Sequence, residues 1–258
     1  MDENQSQNWQ PSVRQIGLGE AVSHLQALKI GYPASPILHQ YWNADPPQQI
    51  RKLLKHNATL CERWTVQHEV WDEQRAKAFL AEYYPDILPL FLSASHPAMG
   101  SDLLRLCIIE HFGGLYLDAD MALRATGGER LAGLLHGGLV FKWNLPERTN
   151  VPNWCFGFRA GHSILAHLIA DTAVSMRAAL QEDSKKALQN ILTVSGPGRF
   201  TRSLGGWIAA HGCPPGFLVL DVDDAYTMVQ NGPELLGAPL DYKSTSRHWL
   251  VAARSSAT

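Results

Sequence analysis

Charge is scarce in this chain. Asp, Glu, Lys and Arg make up 18% of its 258 residues, and the two signs nearly cancel: 22 Lys and Arg against 24 Asp and Glu, a formal charge of −2. The basic excess that usually marks a nucleic-acid binder is missing, so no nucleic-acid partner is expected. Cysteine is rare too. Cys61, Cys107, Cys155 and Cys213 lie far apart, in neither a zinc-knuckle nor a CxxC pattern, which predicts free thiols. No apolar run approaches the length of about 18 residues that reads as a membrane span, which leaves only peripheral membrane contact open. The opening MDENQSQNWQ has neither the basic region nor the apolar stretch of a signal peptide. Together these absences predict a cytoplasmic protein.

Apolar residues, by contrast, make up 45% of the chain, enough for a sizeable core. The length fits one domain with elaborations, read as residues 35–258 behind a polar leader, 1–34, with one helix around Leu18–Ile30. Apolar runs predict strands at 36–42 (PILHQYW), 64–71 (WTVQHEVW), Leu115–Leu117, Leu139–Phe141 and Phe217–Leu220, with another around Trp249–Ala252. Helical periodicity falls between them. Ile50, Leu53, Leu54 and Asn57 share one face; Asp72 caps a helix carrying Ala76, Phe79, Leu80 and Tyr83; Ser101 opens a third helix that stops at Gly113-Gly114; His162–Leu180 is a fourth; and Pro197 stands at a first helical position. Alternating strands and helices predict an α/β fold with a mainly parallel central sheet flanked by helices.

The informative stretch is SDLLRLCIIEHFGGLYLDAD, residues 101–120. Asp102 and Arg105, three apart on a helix, share a face and can pair or meet one ligand. Tyr116, Asp118 and Asp120 alternate along a strand and line one side if it persists. Carboxylates at a strand's C-terminal end lie in the crevice where open α/β sheets bind ligands. Two Asp separated by one residue suit a hard divalent cation, Mn2+ or Mg2+, with positions left for phosphate oxygens. Asp221-Val222-Asp223-Asp224 is a similar string without the preceding helix or glycine pair, and reads as a turn or helix start.

That block resembles the signature of glycosyltransferase family 32, which holds yeast initiating mannosyltransferases, α-1,4-galactosyltransferases and bacterial capsule enzymes. It is also similar to the glucosyltransferase domain of the large clostridial toxins. Pro36–Trp42 looks like the family's opening strand, Trp64–Glu73 like its second, Val194–Gly198 like a TGP-type segment, and Arg247-His248-Trp249 like its C-terminal region. The terminal Ser-Trp of that region is displaced or lost here.

The resemblance implies a GT-A, Rossmann-like nucleotide-sugar-binding fold and a metal-dependent, retaining transfer. The donor would be a UDP-sugar, or second GDP-mannose, and the acceptor a glycan or protein. Polysaccharide biosynthesis in a bacterial cytoplasm, or glycosylation of host protein by a secreted effector, would be the setting. Carried over by residue, Trp42 would stack on the base and Tyr116 lie by base and ribose. Asp102 and Arg105 would contact the sugar, and Asn153 would touch it. Asp118 would serve ribose and metal, Asp120 would ligate the metal, His248 would add a metal or diphosphate contact, and Trp249 would lie over the phosphates. Catalysis would rest on Asp102, Arg105, Asp118 and Asp120. The rival readings are a haloacid-dehalogenase-type phosphatase, which also places DxD after an apolar strand, and a non-catalytic nucleotide-sugar-binding module. Trp143, Trp154 and Trp207 read as core or acceptor-side residues, and nothing selects among Arg148, Arg159 and Arg199 for phosphate.

Overall fold

A computed structural model describes Gly17, Ala21 and residues 36–126, 138–145 and 149–255. The leader helix expected around Leu18–Ile30 and the loop residue Arg148 therefore lie outside the described residues, Ala21 apart.

A six-stranded sheet in the order β2-β1-β3-β6-β5-β7 forms the centre. Its strands are β1 (Ile37–Tyr41), β2 (Gln67–Trp71), β3 (Gly114–Leu117), β5 (Gly138–Lys142), β6 (Cys155–Phe158) and β7 (Phe217–Asp221). The β1–β2, β1–β3 and β5–β7 pairs are parallel, and β6 runs antiparallel to both its neighbours. The sheet is thus mainly parallel, as the alternating pattern predicts. The reversed strand β6 is not foreseen.

Side chains alternate across the sheet. Tyr116, Val140, Phe156, Phe158, Phe217 and Val219 enter one core. Leu115, Leu117, Leu139, Phe141, Leu218 and Leu220 enter the other. Both faces are covered, which is why the strands read as nearly continuous apolar runs. The first core lies under α4 (Pro97–Phe112), α5 (Ser163–Glu182) and α8 (Pro197–His211). On the other face, α1 (Gln48–Arg63) contributes Leu60 and Cys61, and α9 (Val222–Met228) contributes Val222, Ala225 and Met228. Burying one such Leu or Phe contributes about 1.5–3 kcal/mol. The helix Ser163–Glu182 is, by length and composition, the one described helix long and apolar enough to cross a membrane. Here its Ile164, Leu165, Leu168 and Met176 are buried in the core.

Smaller elements complete the chain: α2 (Glu73–Tyr83), α3 (Leu88–Ser93), α6 (Ser184–Gln189), α7 (Ile191–Val194), α10 (Gly232–Leu236) and α11 (Trp249–Ser255). β4 (Met121–Leu123) pairs with β8 (Val229–Asn231) in a separate antiparallel ribbon.

Two local expectations are corrected. Helix α4 starts at Pro97, not Ser101, because His96 caps it by accepting from the Ala98 amide and Pro97 fills the first helical position. Residues 249–252 are helical, not a strand. Trp249, Ala252 and Ala253, spaced i, i+3, i+4, pack on the core, a helical and not an alternating pattern. Asp72 and Asp221 do cap helices as expected, each accepting from a backbone amide of the first turn.

The order 2-1-3 places a topological switch between β1 and β3. The chain leaves β1 to one side through α1 and returns to the other through α4. Ligands of open α/β sheets bind at such a point, beyond the strands' C-terminal ends. The turn from α4 into β3 needs glycine. Gly113 and Gly114 have φ of 67° and 100°, and a Cβ on Gly114 would stand 2.5 Å from the Ile37 carbonyl oxygen. Gly114→Ala should therefore cost about 2 kcal/mol or more, through left-handed strain and a backbone clash together. Thermal denaturation should show a fall of roughly 4 °C or more. An unchanged melting temperature would mean that β1 and β3 can shift apart freely.

Candidate active site

The turn that follows β3 is held by its backbone before any side chain acts. The Asp118 amide donates to the Trp154 carbonyl (2.8 Å), and Gln40 Nε2 donates to the Asp118 carbonyl (3.2 Å). Gln40 is itself fixed, accepting at Oε1 from Asn57 (3.0 Å), with His68 Nε2 2.9 Å away. Asn57, fully buried on α1, also donates to the Met121 carbonyl and accepts from the Leu123 amide. On the far side the Gly232 amide donates to the Asp120 carbonyl (2.9 Å), and a Cβ there would meet that oxygen at 2.6 Å. The Asp118-Ala119-Asp120 turn is thus clamped from β1, from the residue before β6 and from α10, with α1 holding Gln40 and the strand that follows the turn.

Above it lies a cavity of about 480 Å3. The structure brings every site residue expected from the sequence to its wall. Trp42 follows β1, Asp102 and Arg105 come from α4, and Tyr116, Asp118 and Asp120 come from β3 and its turn; Asn153 precedes β6, and His248 and Trp249 come from the C-terminal segment. Asn153 arrives because β6 is antiparallel: it begins at the end of the sheet where its neighbours finish.

Arg105 is the hub. Its Nη1 meets Asp118 Oδ1 (3.1 Å) and donates to the Asn153 carbonyl (2.6 Å). Nη2 meets Asp102 Oδ1 (3.2 Å) and donates to Ser101 Oγ (3.0 Å), and Nε donates to the Ser101 carbonyl (3.1 Å). The guanidinium also sits over the Tyr116 ring, 4.5 Å from its centroid. Asp102, buried beside it, accepts from Asn153 Nδ2 and Ser195 Oγ, both at 2.8 Å. Burial pushes the Asp102 carboxyl up from its ordinary value, and Arg105, Ser195 and Asn153 oppose the rise. Asp118 is pushed up to about 7, by burial first, against the pull of Arg105, with Asp120 and Asp102 adding to the rise.

Asp120 faces a different set. Tyr242 Oη donates to its Oδ2 (2.8 Å), and the Lys243 ammonium lies 2.7 Å from the same oxygen. Burial first, then Asp120, hold the Tyr242 hydroxyl protonated, so it serves as a donor. The Tyr242 ring stands edge-on to Trp42, with centroids 5.1 Å apart. The Trp42 indole N–H is buried and has no protein acceptor. His248 lies 6.0 Å ring to ring from Tyr242, and burial and then Lys243 lower its pKa while Asp120 opposes.

Sequence reasoning missed Ser195, Tyr242 and Lys243. The Val194–Gly198 segment carried a signal for the first; nothing marked the Tyr-Lys pair. Of the remaining candidates, Arg199 is engaged by Asp171 and the Thr193 carbonyl, and neither Arg199 nor Arg159 lines the cavity. Trp154 stacks between Phe141 and Tyr226, Trp143 leans on Tyr226, and Trp207 stacks on His211. Asp221–Asp224 forms a helix start, as expected, away from this wall.

The donor set suits a divalent cation. Asp118 and Asp120 offer hard carboxylate oxygens on the cavity wall, and Asp118 is held in a setting that disfavours its anion until more positive charge arrives. The residues fit a metal held by two aspartates, with further positions left to water or phosphate. Among the described residues, no three His, Cys, Asp or Glu side chains converge on one point; His248 lies on the same cavity wall as the two aspartates.

Arg105→Lys keeps the charge but not the fork. It should cost about 3 kcal/mol, because Asp102 and Asp118 cannot both be satisfied by one ammonium. Denaturant unfolding would measure this, and a loss below about 0.5 kcal/mol would remove Arg105 as the hub.

Residues 47–129 match the family described as "Glycosyltransferase sugar-binding region containing DXD motif". An uncharacterised glycosyltransferase of Acanthamoeba polyphaga mimivirus is 31% identical over 140 residues, which cover 51% of this chain and 53% of that protein. A mannosyl phosphorylinositol ceramide synthase of Saccharomyces cerevisiae is 32% identical over 85 residues, 33% of this chain and 22% of that protein. The chain thus spans about half the length of the viral relative and about a fifth of the yeast one. Among solved structures, the PaToxG glycosyltransferase superposes with a TM-score of 0.50 at 17% identity, over 92% of this chain and 93% of that one, a likeness of fold. The comparisons agree with the family resemblance read from the sequence: the Asp118–Asp120 turn and the helix before it lie within the residues that match the DXD-containing glycosyltransferase sugar-binding region.

Proposed function

We propose that the protein is a metal-dependent, retaining glycosyltransferase that moves a sugar from a nucleotide-sugar donor to a glycan or protein acceptor. The observation that carries this reading is the pair Asp118 and Asp120 at the switch point, in one cavity with Arg105, Asp102 and the aromatic Trp42. UDP-sugars are the first donors to test. The mannosyl name of the yeast relative supports GDP-mannose beside them.

In this reading Asp118 and Asp120 hold Mn2+ or Mg2+, which when bound offsets the charge of the departing diphosphate. The chain's own residues do the rest. Arg105 holds Asp118 and Asp102 at fixed separation on the wall, so the carboxylates need no reorganisation during transfer. Asp102 and Asn153, bonded to each other, face the donor sugar as a preset pair of polar groups. Trp42 and Tyr116 take the base and ribose side, with the Trp42 N–H free for a ligand acceptor. His248 and Trp249 meet the diphosphate from the C-terminal segment. Retention follows from front-face attack, in which the leaving diphosphate oxygen helps take the acceptor's proton and the protein supplies positioning. The acceptor class is a glycan or protein hydroxyl.

A hydrolysis screen over UDP- and GDP-sugars, with and without Mn2+, tests the reading. Release of nucleoside diphosphate, abolished by a chelator, is the expected result. Phosphate release from a simple monoester would mark a phosphatase instead, and nucleotide binding without turnover a binding module. The aspartate clusters give a sharper contrast. Asp120→Asn should lower turnover roughly a hundredfold or more in a folded protein. Asp223→Asn, on the exposed first turn of α9, should stay within about threefold. The reverse pattern would put the site elsewhere.

A further inference from the structure

The cavity wall holds one cation that the sequence did not mark. Lys243 lies on the 3-10 turn Asp241–Ser244, and its ammonium is 2.7 Å from Asp120 Oδ2. The lysine side chain is 44% exposed and the Asp120 side chain 16%. We propose that Lys243 is the resident counter-cation of the aspartate pair: it holds, at Asp120, the place that a divalent cation takes on loading, and once displaced it serves the donor's diphosphate. The inference rests on the metal-dependent reading above.

Three features support an exchange of this kind. First, Asp102, Asp118 and Asp120 line one cavity, and among the described residues the cations in contact with them are Arg105 and Lys243. Arg105 is buried with all three guanidinium nitrogens bonded, so it cannot leave. Lys243 is a long, flexible, half-exposed side chain with a single carboxylate partner, and rotamer changes alone can move it. Second, the segment does not depend on that contact. The Asp241 amide donates to Gln49 Oε1 (2.8 Å), Gln49 Nε2 donates to the Pro239 carbonyl (2.9 Å), and His96 Nε2 lies 3.2 Å from the Ser246 carbonyl. Tyr242 bonds Asp120 separately. Releasing Lys243 therefore leaves the turn anchored on both sides. Third, an ammonium freed from Asp120 stays at the wall of a cavity that would hold a diphosphate, where pairing with the phosphate oxygens replaces what it lost.

The exchange predicts effects of opposite sign. Mn2+ binding without nucleotide, measured by the paramagnetic resonance of free Mn2+, should be about fivefold tighter in Lys243→Met than in wild type, the scale of a partly exposed ion pair. Affinity for UDP and GDP at saturating Mn2+ should be about fivefold weaker in the same variant. Lys243→Arg should match wild type within about twofold in both, and all three proteins should melt alike. Equal Mn2+ affinities in Lys243→Met and wild type would overturn the exchange. Weakening of both affinities would reduce Lys243 to a support for its segment, and an unchanged nucleotide affinity would remove the diphosphate role. If wild type itself bound no Mn2+, with or without UDP or GDP, the metal-dependent reading would fall first and the exchange with it.

Discussion

The buried guanidinium of Arg105 is the constraint on which the rest of the site depends. It joins a residue one turn earlier on its own helix, Ser101, to the carboxylates of Asp102 and Asp118 and to the carbonyl of Asn153. Those partners come from α4, from the end of β3 and from the approach to β6. One side chain thereby ties three elements together at the site. Its position follows from ordinary local rules: α4 ends at Gly113 and turns directly into β3, so a residue midway along the helix lies over the strand's C-terminal end.

The sheet order makes that end a crevice. β1 and β3 are neighbours, but the chain leaves β1 to one side through α1 and comes back into β3 from the other through α4, the arrangement that opens a crevice beyond the strand ends. The reversed β6 then contributes its first residues where parallel strands contribute their last. A fully parallel sheet would have placed Asn153 at the opposite edge, away from Asp102. The antiparallel strand is thus part of how the site is assembled.

Much of this could be read from the chain. Parallel strands buried on both faces leave apolar runs, and β1, β2, β3, β5 and β7 were each anticipated within a few residues. The block from Asp102 to Asp120 carried its geometry in its spacing, because helix, glycine turn and strand are local structures. What could not be read depended on distant partners. β6 is four residues long, Cys-Phe-Gly-Phe, and its direction is set by pairing with β3 and β5, not by its own composition. Residues 249–252 read as strand-like because Trp, Leu and Val cluster there, but the faces that pack are those of a helix. Tyr242 and Lys243 reach Asp120 across nearly half the chain's length, and no spacing rule links residues so far apart. Ser195 is intermediate: its Val194–Gly198 segment carries a sequence signal, but its hydrogen bond to Asp102 depends on the packing of α7 and α8.

The energetics point the same way as the geometry. Burying Asp102 and Arg105 takes charges out of water, and the desolvation cost of such a pair commonly equals or exceeds its Coulombic gain. Apolar residues of similar size would fill this part of the core at no loss of stability, as Leu103, Leu104 and Leu106 do alongside. Asp118 adds a third charge, held where burial and two neighbouring carboxylates disfavour its anion. A fold under selection for stability alone has no use for that arrangement, whereas the proposed loading of a cation and a diphosphate gives it one. In that proposed role the carboxylates would attract the cation and Arg105 would keep them from moving to meet it, and hydrogen bonds from Ser195, Asn153, Gln40 and Tyr242 already hold the surroundings. Sites preorganised in this way violate local rules of burial at the positions where function requires it.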